Sequence, residues 1–378
     1  MAKPTGTKLL VLGAGPVGLE AALRGVASGF DVTVIESGAQ VAEYVGRWGF
    51  AKMFTPFGWN STPLGLQTLL ADRLAKDLPN ASTFQTGKEF RDSYLVPLSQ
   101  SAGLKDRIRL QSSVLSVGRF GVRKGDGGPR TAPFRVVMRG PNNVESTETA
   151  DLIFDCTGTY SRPNWLGDGG TPALGELTSR QFIPYWLEDV RGAKKQQYLG
   201  KSILVIGHGA SAASTICELS SLAEENASTW VTWLTGHNRG VPIARTANDP
   251  LRERDRQAAK ANGLATRGEG NIEHVADVRI DEVHCAGADR GYRVVGRIGK
   301  TPHTWEAEKL IANIGYKPDI TMTGELNLSE PTGAWQTTES GYFVFGAKSH
   351  GRNGQFLLRD GYEQLNQAFV SLAKKVAA

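Results

Sequence analysis

The sequence predicts an α/β protein with two strand–turn–helix units of the parallel-sheet kind, and two glycine triplets predict it. Gly13-Ala14-Gly15-Pro16-Val17-Gly18 follows the apolar run Lys8-Leu9-Leu10-Val11-Leu12, and Gly207-His208-Gly209-Ala210-Ser211-Ala212 follows Ser202-Ile203-Leu204-Val205-Ile206. Each run reads as a buried strand, and each triplet opens a helical pattern. A third observation is length. At 378 residues the chain exceeds the size at which one hydrophobic core stops growing, so two domains are expected.

In the first unit, Leu19, Ala22, Leu23 and Val26 recur at helical spacing after the glycines. Such a turn leaves bare backbone amides at a helix N-terminus, where a pyrophosphate binds. The next strand, Val32-Thr33-Val34-Ile35, ends at Glu36. That is roughly 20 residues past the turn, where a carboxylate accepts hydrogen bonds from ribose hydroxyls. Gly13, Gly15, Pro16, Val17, Gly18 and Glu36 therefore predict a Rossmann-like dinucleotide site.

In the second unit, Gly207, Gly209, Ala210, Ser211 and Ala212 form the turn, and Ile216, Leu219 and Ala223 give the following helix one apolar face. Ala212 stands where the third glycine belongs and still permits close packing. The following strand, Thr229-Trp230-Val231-Thr232-Trp233-Leu234, ends at Thr235-Gly236-His237-Asn238-Arg239 with no carboxylate. Nothing there repels a 2′-phosphate, and Arg239 and Arg245 are candidates to pair with one. Two dinucleotide sites in one chain suggest a flavoenzyme reduced by a nicotinamide, with FAD at the first site and NADPH at the second. The competing reading of a single triplet is a plain strand-to-helix turn.

Composition excludes several classes. The formal charge of +5, from 43 basic and 38 acidic residues, is a mild excess. The basic residues between Arg239 and Arg256 are interleaved with Asp249, Glu253 and Asp255, the pattern of a solvated face and not of a nucleic-acid groove. Charges such as Glu20 and Arg24 break the apolar stretches well short of the roughly 20 residues that span a bilayer. The N-terminus runs directly into a strand without room for a signal peptide, so a cytoplasmic protein is expected. Cys156, Cys217 and Cys285 lie far apart with no Cys-x-x-Cys pair, which excludes a thioredoxin-type dithiol. The six histidines show no metal-ligand spacing, and no metal is expected.

Further motifs fall in order along the chain. Val45-Gly46-Arg47-Trp48 resembles a Gly-Gly-x-Trp segment lacking its first glycine. Asp155-Cys156-Thr157-Gly158-Thr159 and Asn313-Ile314-Gly315-Tyr316-Lys317-Pro318-Asp319 resemble two Ala-Thr-Gly-like strand ends. Leu199-Gly200-Lys201-Ser202-Ile203-Leu204-Val205-Ile206-Gly207 matches the approach to an NADPH site. On these residues the chain resembles the flavin-containing monooxygenase branch of the two-dinucleotide-domain flavoproteins, to which thioredoxin reductases also belong. The resemblance implies an FAD domain, residues 1–180 and 310–378, split by an inserted NADPH domain, residues 181–309. It adds Gly46, Arg47, Trp48, Thr157, Gly158, Gly315, Gly346 and Gly361 to the cofactor-binding set, the last two closing over the flavin. Two departures stand out. Gly346-Ala347-Lys348 replaces the Gly-Asp of reductases, and Gln181-Phe182-Ile183-Pro184-Tyr185-Trp186 lacks the histidine of the monooxygenase linker, with Tyr185 in its place.

Trp48, Phe50, Phe54, Phe57 and Trp59 crowd one short span. They read either as a shield over a reactive flavin or as core between domains. The resemblance makes Asn60 a catalytic candidate that hydrogen-bonds the oxygenated flavin. Arg47 and the string Lys348-Ser349-His350-Gly351-Arg352-Asn353 read as facing the same cavity, with Arg352 a candidate clamp for a carboxylate, or as a solvated surface loop. The implied reaction is hydride transfer from NADPH to FAD, then a C4a-hydroperoxide that oxygenates a small nitrogen, sulfur or carbonyl substrate. One rival is an FAD/NADPH reductase or oxidase serving a disulfide, quinone, protein or dioxygen; another is a non-catalytic redox-sensing flavoprotein. The partners expected are a small-molecule substrate, dioxygen and a second copy of the chain in a homodimer, with neither nucleic acid nor membrane.

Overall fold

The computed structural model describes residues 6–126, 130–269, 271–287 and 289–377. The chain divides into two compact units, one running up to Arg162 and resuming at Lys317, the other Pro163–Tyr316. The first carries β1 (Lys8–Leu12), β2 (Asp31–Ile35), β3 (Ile108–Arg109), β4 (Ser113–Arg119), β5 (Phe134–Arg139), β6 (Glu145–Ala150) and β7 (Leu152–Asp155). The second carries β8 (Ser202–Ile206), β9 (Trp230–Leu234), β10 (Ile272–Val275), β11 (Val278–Cys285), β12 (Tyr292–Ile298), β13 (Thr301–Ala307) and β14 (Lys309–Ala312). The last strand, β15 (Tyr342–Val344), belongs to the first unit again.

In the first unit a five-stranded parallel sheet has the order β15-β7-β1-β2-β3. Its pleat sends successive side chains to opposite faces. Leu9 and Val11 pack with Leu19, Leu23 and Leu365 of the helices Pro16–Ala27 and Leu358–Ala377. Leu10 and Leu12 pack with Val136 and Met138 of an antiparallel β4-β5-β6 sheet. Pro16 at the first helical position presets φ for the helix it opens. Glu20, buried within that helix, is satisfied by Arg24 Nε at 2.5 Å and Thr62 Oγ1 at 2.7 Å, as a buried carboxylate requires.

The second unit repeats the plan. A parallel sheet of order β10-β9-β8-β14 buries Ile203, Val205 and Val231 under the helices Ala210–Glu225 and Arg252–Arg267. Leu204, Ile206 and Leu310, on the other face, meet the antiparallel β11-β12-β13 sheet. The apolar face expected after the second triplet is real, since Ala212, Ile216, Leu219 and Ala223 are buried. Tyr185 is also a core residue here. Its hydroxyl donates to buried Glu176 at 2.7 Å, whose carboxylate also accepts from the Leu166 and Ala173 amides. Burial, then the Glu176 bond, pushes the Tyr185 pKa far up, so it is a fixed neutral phenol.

Among the described residues no helix is long and apolar enough to cross a membrane. Among the same residues no group of three or more His, Cys, Asp or Glu side chains gathers as metal ligands would.

Candidate functional site

Both glycine turns are built by one set of contacts. The Gly13 amide donates to Ile35 O at 2.7 Å, tying the end of β1 to the end of β2, and the Gly207 amide donates to Leu234 O at 3.1 Å, tying β8 to β9. Gly13 has φ +93°, and a Cβ there would stand 2.9 Å from Cys156 O. Gly207 has φ +139°, and its Cβ would stand 2.1 Å from Asn313 O. In both units the first glycine is required because a neighbouring strand end passes where a side chain would be. Gly18 is required for a different reason. Its Cβ would lie 1.9 Å from Gly13 O, so only a bare backbone lets the helix start this close to the turn.

In the first unit these elements open onto a cavity of about 570 Å³, within the range of small-molecule sites. Gly13, Gly15, Pro16, Val17 and Glu36 line one side, and Trp48, Thr157, Gly158 and Gly346 line others. Nothing lies within 4 Å of the positions a Cβ would take on Gly15 or Gly158, so the space against both backbones is free. Glu36 is nearly buried and held rigidly. One oxygen accepts from the Ala14 amide at 2.7 Å and the other from the Gly38 amide at 2.7 Å. A twelve-residue helix that starts at the cavity wall and a fixed carboxylate fit an adenine dinucleotide.

The remaining candidates of this unit stand outside the wall. Gly46 faces Arg91, and Arg47 lies 4.9 Å over the Tyr44 ring, which does line the cavity. Gly361 lets the C-terminal helix press onto the first helix, since a Cβ there would be 2.8 Å from Val17 Cγ2. Asn60 is buried and its side chain is used locally. Its Oδ1 accepts from Thr55 Oγ1 at 2.7 Å, and its Nδ2 donates to Thr55 O at 3.1 Å and approaches Met53 Sδ at 3.8 Å. Arg352 is exposed and lies off the cavity wall. The aromatic span splits as well. Trp48 lines the cavity, Phe57 packs edge-on to Tyr94 in the core, Phe50 is exposed, and Trp59 carries the Arg359 guanidinium 3.9 Å over its ring.

A buried ion pair beside this cavity is not visible in the motifs. Lys348 Nζ lies 2.5 Å from Asp155 Oδ2, with both side chains almost wholly buried. Asp155 also accepts from Tyr342 Oη at 2.7 Å and Thr157 Oγ1 at 2.6 Å. Lys348 lines the large cavity and, together with Asp155, a second one of about 130 Å³. A lysine four residues past an apolar strand, and an aspartate ending another, are the available signals. Cys156, between Asp155 and Thr157, also lines the large cavity. Burial, then the Asp155 charge, pushes its thiol well above the usual range, so it is a protonated thiol and no nucleophile.

In the second unit, Gly209 caps the sixteen-residue helix Ala210–Glu225, and Gly209 and Ala210 are exposed while Ala212 is buried against the core. Trp233 Nε1 donates to Gly207 O at 2.7 Å and fixes the turn from β9. Thr235 follows β9 where Glu36 follows β2, and its hydroxyl meets His274 Nε2 at 3.0 Å. Arg239 is exposed on the same loop. Arg245 makes a bidentate pair with Asp255 at 2.8 and 2.7 Å. Gly315 has φ +75° and packs beside Asn164, whose Nδ2 donates to Ile314 O at 2.9 Å.

No protein-family model matches the chain, and no curated protein matches it in sequence. Solved structures do match in fold. The bacillithiol disulfide reductase of Bacillus cereus superposes with a TM-score of 0.70 at 16% identity, over 98% of this chain and 100% of that one. The ornithine N-hydroxylase of Kutzneria sp. 744 gives 0.68 at 16% identity, over 98% and 99%. A flavin-containing monooxygenase from Stenotrophomonas maltophilia gives 0.61 at 20% identity, over 98% and 100%. The chain therefore has the fold of the thioredoxin reductase-like flavoproteins, as its motifs implied.

Proposed function

We propose that this chain is an NADPH-dependent flavoprotein oxidoreductase, with FAD held by the first unit and NADPH by the second. One observation carries the assignment. The chain builds the same turn twice and ends the second strand differently. Glu36 is a fixed carboxylate suited to two ribose hydroxyls, whereas Thr235 brings no negative charge and Arg239 follows. When bound, FAD supplies the two-electron chemistry that accepts hydride from NADPH and passes electrons onward.

The residues of the chain then have separate tasks. The N-terminus of the helix Pro16–Ala27 would hold the FAD pyrophosphate and Glu36 its ribose, and the N-terminus of the helix Ala210–Glu225 would hold the NADPH pyrophosphate. Trp48, Val17 and Met53 give the cavity wall apolar surface that excludes water. At the finer level we read the enzyme as a monooxygenase of small nitrogen-, sulfur- or carbonyl-containing substrates. The neighbours favour a second reading equally, since they include a disulfide reductase. In that case the chain reduces its acceptor without a protein dithiol, because its three cysteines form no Cys-x-x-Cys pair. A homodimer in the cytoplasm fits both readings.

Arg239→Ala tests the coenzyme assignment. Loss of one charge-assisted contact costs about 1.5–3 kcal/mol, so the KM for NADPH is expected to rise roughly ten- to hundredfold while that for NADH stays put. An unchanged NADPH-to-NADH ratio in steady-state kinetics rejects Arg239 as the phosphate partner.

A further inference from the structure

The five strands of the first unit's parallel sheet, in the order β15-β7-β1-β2-β3, end along one edge. That carboxyl edge is where open α/β sheets take their ligands. Along it Glu36 follows β2, the helix Pro16–Ala27 follows β1, Asp155 ends β7, and Lys348 lies four residues past β15. With the adenosine ribose at β2 and the pyrophosphate at β1, the flavin half of FAD extends over the ends of β7 and β15. Lys348 stands there.

Its ammonium has a direction. Nζ lies 2.5 Å from Asp155 Oδ2 and 3.2 Å from Thr157 Oγ1. Thr157 lines the large cavity, Asp155 and Tyr342 line the second one, and Lys348 lines both. The ion pair is therefore a dipole with its positive end toward the FAD cavity and its carboxylate turned away. Among the described residues Lys348 is the one cation in a wall that also holds Glu36, Glu43 and Asp319. Glu36 belongs to the ribose end, Glu43 lies 3.8 Å from Arg47, and Asp319 is held by Arg162 at 2.8 and 3.0 Å. The side chains of Lys348 and Asp155 are 2% and 0% exposed, so water screens the dipole little.

We propose that Lys348 sets the electron affinity of the flavin, its ammonium binding the reduced cofactor more tightly than the oxidised one. This rests on the assignment of FAD to the first unit and adds the residue that tunes it. Hydride transfer from NADPH moves two electrons and one proton to the flavin and leaves NADP+. The ring thereby gains one negative charge. A cation fixed beside it beforehand stabilises that charge with no reorganisation at the moment of transfer. Tighter binding of the reduced form raises the potential of the bound couple, because binding and reduction close one thermodynamic cycle.

The test is the equilibrium reduction potential of the FAD-reconstituted full-length protein, read by spectral titration against a reference dye. Lys348→Met/Asp155→Asn removes both charges and leaves neither buried alone, so the comparison stands even where Lys348→Met fails to fold. In the double variant the preference for reduced over oxidised FAD is expected to fall at least roughly tenfold, which lowers a two-electron potential by about 30 mV. Lys348→Met, with the Asp155 charge left behind, should fall further. A lysine that served the fold alone would weaken both redox states alike and leave the potential where it was. An unchanged potential in the double variant, or a folded double variant that no longer holds oxidised FAD, overturns the role of Lys348. A wild-type chain that takes up no FAD overturns the FAD assignment itself.

Discussion

Lys348→Met is expected to destabilise the first unit by about 3–5 kcal/mol, the typical cost of leaving one charge of a buried pair uncompensated. Asp155 would keep the Tyr342 and Thr157 hydroxyls as donors but lose the ammonium bonded to it. The double variant Lys348→Met/Asp155→Asn should recover most of the loss. Asn removes the charge while its carbonyl oxygen still accepts from Tyr342. The comparison is read from denaturant midpoints of the transition belonging to the first unit. Equal midpoints for wild type and Lys348→Met would show that the ammonium contributes nothing to the fold, contrary to its geometry. A double variant no better than the single would place the loss in the packing of the lysine stem.

The second large effect concerns the turn itself, where two glycines three positions apart separate folding from binding. Gly18→Ala puts a methyl 1.9 Å from the Gly13 carbonyl oxygen. A backbone atom cannot give way, so the turn must open, and both thermal stability and flavin retention are expected to fall. Gly15→Ala meets nothing within 4 Å, at an ordinary φ of −77°, yet its methyl enters the space bordered by the cavity. That variant should unfold like wild type while binding FAD at least roughly tenfold more weakly, a loss of about 1.4 kcal/mol. Flavin fluorescence during reconstitution and a melting curve decide it. Full FAD affinity in Gly15→Ala would move the pyrophosphate away from this turn.

The fold was legible because its strongest signals are local. A strand that must be apolar, a turn that must be glycine and a helix that must pack close all lie within about twenty consecutive residues. The site was legible to the same depth. Gly13, Gly15, Pro16, Val17 and Glu36 share a cavity because short-range geometry puts them there. What failed to show was long-range. Lys348 and Asp155 are 193 residues apart and meet only because β15 pairs with β7, a register no spacing reveals. Asn60 shows the reverse. The residue type suited a role at a flavin, but a turn to Thr55, five residues away, takes up its side chain. Arg245 offers a charge in sequence, and that charge is already answered by Asp255 on the next helix. The histidine pair straddles the two cases, since His208 and His237 are visible in sequence but their contact depends on β8 lying beside β9.

Anaerobic mixing of the FAD-reconstituted protein with NADPH asks whether electrons pass from NADPH through FAD on this chain. NADPH is expected to bleach the visible flavin band, faster than NADH does. Admitting oxygenated buffer then separates the two finer readings. A long-lived intermediate before reoxidation marks the monooxygenase, and direct return of the oxidised spectrum marks the reductase or oxidase. A protein that takes up no FAD, or a bound flavin that neither nicotinamide reduces, would show that the chain is no NADPH-dependent flavoenzyme.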